Sequence, residues 1–263
     1  MKKIILCLLI GILAFATIDA SATTERISID QCKVTFSKDY TYTGNGFTPT
    51  PKVTYKKKKL VKNVDYYIYY KDNVEVGTAT VTLTGIGNYK GSTTATFTIK
   101  KGKQTIKAND INATYGDAPT YLSVMSDNPV TYKSSDTSVC TVNDVGTVTF
   151  VNAGKAKIIV SAAGNSNVLP AKISVNVNVS KIPTVINAYG GYVYKGRKQS
   201  LGAVSSSGAK LTFSSSNKKI ATVSKKGVVT AKKIGKVKIT VKSPATKNYK
   251  AASKSFDIEV IKP

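Results

Sequence analysis

The chain has 263 residues, with 39 Lys and Arg against 14 Asp and Glu, no His, and a net charge of +25. Without His it lacks the usual general base and the commonest transition-metal ligand, which excludes Ser-His-Asp and Cys-His nucleophilic sites and HExxH zinc sites. A hydrophobic content of 41% is enough for packed cores and excludes a disordered polycation.

Residues 1–22 read as a secretory signal peptide. Lys2 and Lys3 form a charged start, and from Ile4 to Ile18 only Cys7, Gly11 and Thr17 interrupt an apolar run. Ala20-Ser21-Ala22 then supplies a small-residue cleavage pattern. The run is shorter than the roughly 20 apolar residues that a spanning helix needs, so cleavage after Ala22 is expected rather than a retained anchor. The mature chain is expected to hold no transmembrane segment. Cys32 and Cys140 remain, too few and too far apart for a disulfide framework, and both are expected to be buried free thiols.

The first module is set at 23–101. Val34 and Phe36, then Ala79, Val81 and Leu83, then Ala95, Phe97 and Ile99 alternate with polar residues, the period of strands with one buried face. In 66–70 the same alternation puts Tyr66, Ile68 and Tyr70 on one face and Tyr67 and Tyr69 on the other. One set must be core, which makes Tyr67 and Tyr69 the candidate aromatic contacts. The competing reading is that Tyr simply favours strands. Gly85, Gly87 and Gly91 are spaced one residue too long for a dinucleotide loop and lie between two strand-like runs, so they read as a turn.

The second and third modules, 102–180 and 181–263, are copies. Residues 130–179 align with 211–260 at a constant offset of 81 without a gap, and 17 of the 50 positions are identical. Ser134-Ser135 match Ser215-Ser216, Gly146 matches Gly227, and Gly154 matches Gly235. Glycine at these positions suits hairpin turns that need positive φ. Short alternating strands with regular turn signals predict an all-β sandwich in each module, three in all.

The stretches SSDTSVCTVNDVGTVTFVNAGKAKIIV and SSSNKKIATVSKKGVVTAKKIGKVKITV resemble bacterial immunoglobulin-like (Big-type) domains. In that family a Ser-Ser turn precedes a Val-Ala-Thr-Val strand, a Gly hairpin and a Gly-led strand. Cys140 departs from the usual Ala, which the last copy keeps as Ala221. The first module resembles a different immunoglobulin-like repeat of bacterial surface proteins, through Tyr40-Thr41-Tyr42-Thr43-Gly44, Asp65-Tyr66 and Gly85-Ile86-Gly87-Asn88-Tyr89-Lys90-Gly91. The resemblance implies tandem immunoglobulin-like sandwiches after a signal peptide, in an exported, non-enzymatic bacterial protein, secreted or held at the cell surface. Such modules share a scaffold and not a ligand.

Charge is the strongest remaining signal. Residues 26–101 hold 13 Lys and Arg against 5 acids, 102–180 hold 6 against 5, and 181–263 hold 18 against 2. The candidate polyanion contacts are therefore Lys218, Lys219, Lys225, Lys226, Lys232, Lys233, Lys236 and Lys238. Arg occurs only at Arg26 and Arg197, which argues against sequence-specific nucleic-acid binding. The expected partners are an anionic cell-wall polymer or glycan, and another surface protein. The alternative function is carbohydrate recognition beside a polysaccharide-degrading system. Asp127, Asp136 and Asp144 read as turn residues that bond their own backbone, so no metal, cofactor or catalytic residue is assigned.

Overall fold

The computed structural model describes residues 25–263, so the expected signal peptide lies outside the described residues. Regular structure is almost entirely strand, with a 3-10 turn at Ile29–Gln31. The chain divides into two compact units, Met1–Lys100 and Lys101–Pro263.

In the first unit a four-stranded sheet runs in the order Tyr40–Thr41, Ser92–Lys100, Gly77–Gly85, Tyr66–Lys71. A three-stranded sheet is made of Lys33–Thr35, Lys52–Tyr55 and Lys58–Lys59. Alternation delivers Ala79, Val81 and Leu83 from one long strand and Phe97 and Ile99 from its neighbour into one core, with Val53 and Tyr66. Tyr66 is fully buried, and Ile68 and Tyr70 pack against the core.

The second unit contains two sandwiches with separate cores and the same topology. Ile111–Thr114, Ala171–Ser180, Gly154–Ala162 and Val130–Ser134 make the larger sheet of the first, and Thr120–Tyr121, Thr147–Phe150 and Cys140–Val142 the smaller. Their counterparts are Gly191–Tyr194, Ala252–Ile261, Gly235–Ser243 and Thr212–Ser215, and Lys198–Ser200, Val228–Ala231 and Ala221–Val223. Ile158, Val160, Val177 and Val179 fill one core, and Ile239, Val241, Ile258 and Val260 occupy the matching places in the other. Each such side chain, removed from water, contributes about 1.5–3 kcal/mol. These sandwiches are called modules 2 and 3 below, and the first unit module 1.

Two details show how closely modules 2 and 3 repeat. The hairpin glycines Gly146 and Gly227 have φ of +85° and +73°. A Cβ there would stand 3.0 Å from the ring of Tyr132 and 2.9 Å from that of Phe213, so each glycine lies under an aromatic lid. Ser134 Oγ donates to the Cys140 carbonyl at 2.7 Å, and Ser215 Oγ to the Ala221 carbonyl at the same distance.

Modules 2 and 3 meet within the second unit. Asn248 of module 3 accepts the backbone N–H of Ala153 on Oδ1 at 2.9 Å and donates Nδ2 to Asn152 Oδ1 at 3.0 Å. The rings of Tyr115 and Tyr249 lie edge to face at 6.2 Å. Ile182 lies against Gly116, where an added Cβ would come 3.6 Å from its Cδ1. Lys247 lies close enough to Asp136 to help hold its carboxyl below the ordinary value.

Candidate functional site

All eight candidate lysines are exposed, but they do not form one patch. Lys218 and Lys219 occupy the turn between the strands Thr212–Ser215 and Ala221–Val223. Lys232 and Lys233 follow Val228–Ala231, and the backbone N–H groups of both donate to the Ile220 carbonyl, at 2.8 and 3.1 Å. These four lysines therefore share one end of module 3. Lys225 and Lys226 sit in the hairpin at the other end of the same short strands, beside an open groove that also touches Leu211 and Phe213.

Lys236 and Lys238 lie on the outer face of Gly235–Ser243. Register places Lys236 opposite Glu259 and Lys238 opposite Asp257. Opposite charges facing each other across an antiparallel pair interact favourably. The only two acids of residues 181–263 are therefore set against these two lysines in register, and no described ion pair involves the end cluster.

Two further cations belong to that end. Lys195 and Arg197 are exposed in the turn after Gly191–Tyr194. Gly196 N–H donates to the Ala231 carbonyl and Ala231 N–H to the Arg197 carbonyl, at 2.9 and 3.0 Å, which ties this turn to Lys232. Sequence reasoning missed both residues because the gapless offset does not extend to this turn. The matching positive-φ glycines, Gly116 and Gly196, were the available signal. Lys195, Arg197, Lys218, Lys219, Lys232 and Lys233 thus converge on three turns held together by backbone bonds. The described ion pairs, Lys90 with Glu25 and Lys100 with Asp39, lie in module 1. A cluster of unopposed cations raises the local concentration of anions.

Tyr67 and Tyr69 are exposed on the outer face of Tyr66–Lys71, opposite Thr84 and Thr82. Tyr70, on the inner face, donates its hydroxyl to the Pro49 carbonyl at 2.8 Å. A second aromatic group is not evident from sequence alone. Tyr192 and Tyr194 project from an edge strand of module 3 with ring centroids 5.7 Å apart, and Tyr189, just before them, is 74% exposed. Tyr192 pairs with Glu259, so it shares the outer face with Lys236.

Of the three acidic turn residues only Asp136 bonds its own turn; Asp127 reaches a distant backbone, and Asn143 holds the turn of Asp144 by accepting Val145 and Thr147 N–H. Asp127 accepts Thr105 N–H, and Asp136 accepts both the N–H and the hydroxyl of Ser138. Those bonds to Ser138, assisted by Lys247, lower the Asp136 pKa from 3.8. Cys32 and Cys140 are free and buried. Burial raises both thiol pKa values above 9.0; the nearby charges of Asp30 and Asp65 add to this at Cys32, and the Ser134 hydrogen bond opposes it at Cys140. Among the described residues no group of three or more His, Cys, Asp or Glu could hold a metal ion, and no helix is long and apolar enough to cross a membrane.

Paired sheets, separate cores and repeated hairpins define a protein of tandem immunoglobulin-like β-sandwiches. Modules 2 and 3 are bacterial Ig-like domains: the family "Bacterial Ig-like domain (group 2)" matches residues 117–173 and 195–253. No curated protein sequence matches the chain. Among solved structures, domains 1–6 of the surface layer protein SbsC are similar at 15% identity and a TM-score of 0.31, over 89% of this chain and 40% of that one. Drosophila N-cadherin EC1-4 is similar at 10% identity and 0.31, over 89% and 73%. The insect immune protein hemolin is similar at 14% identity and 0.35, over 88% and 76%. The chain thus spans well under half of the length of the first of these structures.

Proposed function

We propose that this is an exported, non-catalytic protein of a bacterial surface or matrix, whose Ig-like modules act as spacers and adhesive units. Its basic third module associates with an anionic polymer of the cell wall or surrounding glycan. The single observation that carries this reading is the exposed cluster of unopposed cations at one end of module 3, in a chain whose module 2 is nearly neutral. Lysines are loose point charges suited to diffuse polyanion attraction, in contrast to the bidentate clamps that arginines make.

The test is retention of the full chain on isolated cell wall or an immobilised anionic polymer across a salt gradient. Retention is expected at low ionic strength and loss as salt screens exposed charge. Retention indifferent to salt, or no retention at all, overturns the reading.

A second reading, carbohydrate recognition, is favoured by the exposed pairs Tyr67 with Tyr69 and Tyr192 with Tyr194, which offer flat apolar rings with polar tips. It expects a bound oligosaccharide that survives high salt and is lost on replacing either pair by Ala with the fold intact.

A further inference from the structure

The cationic end of module 3 is the repeat counterpart of the surface on module 2 that receives module 3. Asn152 and Ala153, which grip Asn248, correspond to Lys233 and Ile234. Both turns are built alike: Val151 and Asn152 donate their N–H groups to the Val139 carbonyl as Lys232 and Lys233 do to Ile220. Tyr115, which meets Tyr249, corresponds to Lys195; the former bonds its N–H to Ser180 and the latter to Ile261, at the same point of the partner strand. Asp117 corresponds to Arg197, since each donates its N–H across the same tight turn, to Thr114 and Tyr194. Asp136, beside Lys247, corresponds to Asn217, and Thr137 and Ser138 correspond to Lys218 and Lys219.

The scaffold of the seat is kept, with a backbone N–H at Ile234 for that of Ala153 and Gly196 for Gly116, while the side chains that grip are exchanged. The tyrosine ring that receives Tyr249 is gone. The amide acceptor for Asn248 is gone. The carboxylate of Asp136, which interacts favourably with the charge of Lys247, is replaced by a neutral amide flanked by two lysines. A segment like 247–249, presented here by another Ig-like module or a second copy of this chain, would meet like charge and no ring partner. The bonds that shape the three turns persist, so the surface is built and not frayed.

We infer that this end of module 3, comprising the turns 195–197, 217–220 and 232–234, is a docking site for a linear polyanion, derived from the module-receiving seat. This rests on the polyanion association proposed above and assigns it to one end of one module. Six exposed cations on three turns joined by backbone bonds concentrate positive charge at one end of one module. An extended chain with repeated phosphate or carboxylate groups can place successive charges on successive turns.

The test compares two charge-matched variants of the full chain. One carries Lys218→Gln, Lys219→Gln, Lys232→Gln and Lys233→Gln; the other carries Lys225→Gln, Lys226→Gln, Lys236→Gln and Lys238→Gln. Affinities for inorganic polyphosphate and for polygalacturonate are measured at several salt concentrations, with thermal unfolding to confirm the fold. The first variant is expected to bind at least about tenfold more weakly with a flatter salt dependence, and the second to stay within about twofold of the parent. Whichever probe the parent binds names the phosphate or carboxylate source. Equal losses in both variants would overturn the site while leaving general polyanion association in place. No binding by the parent to either polymer or to anionic phospholipid vesicles would overturn both. Binding to anionic phospholipid vesicles but to neither polymer would overturn the linear-ligand assignment.

Discussion

The Nδ2 of Asn248 donates to Oδ1 of Asn152 across 3.0 Å, so one amide side chain of module 3 closes a hydrogen bond with an amide of module 2. Its Oδ1 is occupied too, by the backbone N–H of Ala153. Asn248 is thus satisfied from both ends of its amide, which fixes its orientation and the approach of the two modules.

Replacing Asn248 by Ala leaves the Ala153 N–H without this partner in a partly covered place. Loss of the two bonds is expected to weaken the coupling between modules 2 and 3 by about 1–2 kcal/mol. In denaturant the wild type should unfold these modules in one transition and N248A in two. Coincident transitions in both proteins would show that the amide does not couple them.

Gly227→Ala is expected to cost about 2–3 kcal/mol, because it sets a side chain at positive φ and drives a Cβ into the ring of Phe213. Combining it with Phe213→Leu should recover the steric part and leave the backbone part. The check is the chemical-denaturation midpoint of the single and double variants. A single variant as stable as wild type would mean that the lid yields freely.

Cys140→Ala should cost less than about 1.5 kcal/mol, since the deleted sulfur is small and module 3 already holds Ala221 in the same place. The bond from Ser134 to the backbone carbonyl does not involve the sulfur and survives. With its thiol buried and its pKa raised, Cys140 should react with thiol reagents only as fast as the module opens. Rapid labelling of native protein at Cys140 would contradict this.

Asp136 links module 2 to pH. Its folded pKa is lowered by the bonds from Ser138 and by Lys247, so its contribution is fully present above the unfolded value and is lost as pH falls through the folded one. Module 3 has the neutral Asn217, whose Oδ1 accepts the Lys219 N–H in the same turn. Asp136→Asn should therefore flatten the fall in unfolding temperature between about pH 5 and pH 2. Identical profiles for variant and parent would remove Asp136 from the acid response.

The alternation of Val237, Ile239 and Val241 with lysines, and the glycines at matching places, make the strands and hairpins legible in the amino-acid order itself. The split of 66–70 into a core face and an exposed face is equally readable, because period two leaves only two choices. The grouping of the lysines is not. Lys232 and Lys233 are tied to the turn of Lys218 and Lys219 by their bonds to the Ile220 carbonyl, a relation between turns that local spacing does not encode. The neutralising positions of Asp257 and Glu259 depend on cross-strand register, which is set by the whole hairpin. Lys195 and Arg197 stay hidden because the repeat spacing shortens by one residue at Tyr115 and Lys195, and by two at Leu122 and Leu201, as the connecting turns change length. Aromatic run length draws attention to Tyr67 and Tyr69, while the exposed Tyr192 and Tyr194 lie on a short edge strand where only burial distinguishes them.

In all three modules an early strand pairs in parallel with the last: Tyr40 beside Ile99, Ile111 beside Val177, and Gly191 beside Ile258. A pull that draws the two ends of a module apart therefore runs along these strands in opposite senses. The bonds between them are loaded together in shear and do not open one at a time like a zipper. The direction of one short strand pairing thus makes each sandwich a tension-bearing link, a useful property for a tether under flow or between moving surfaces.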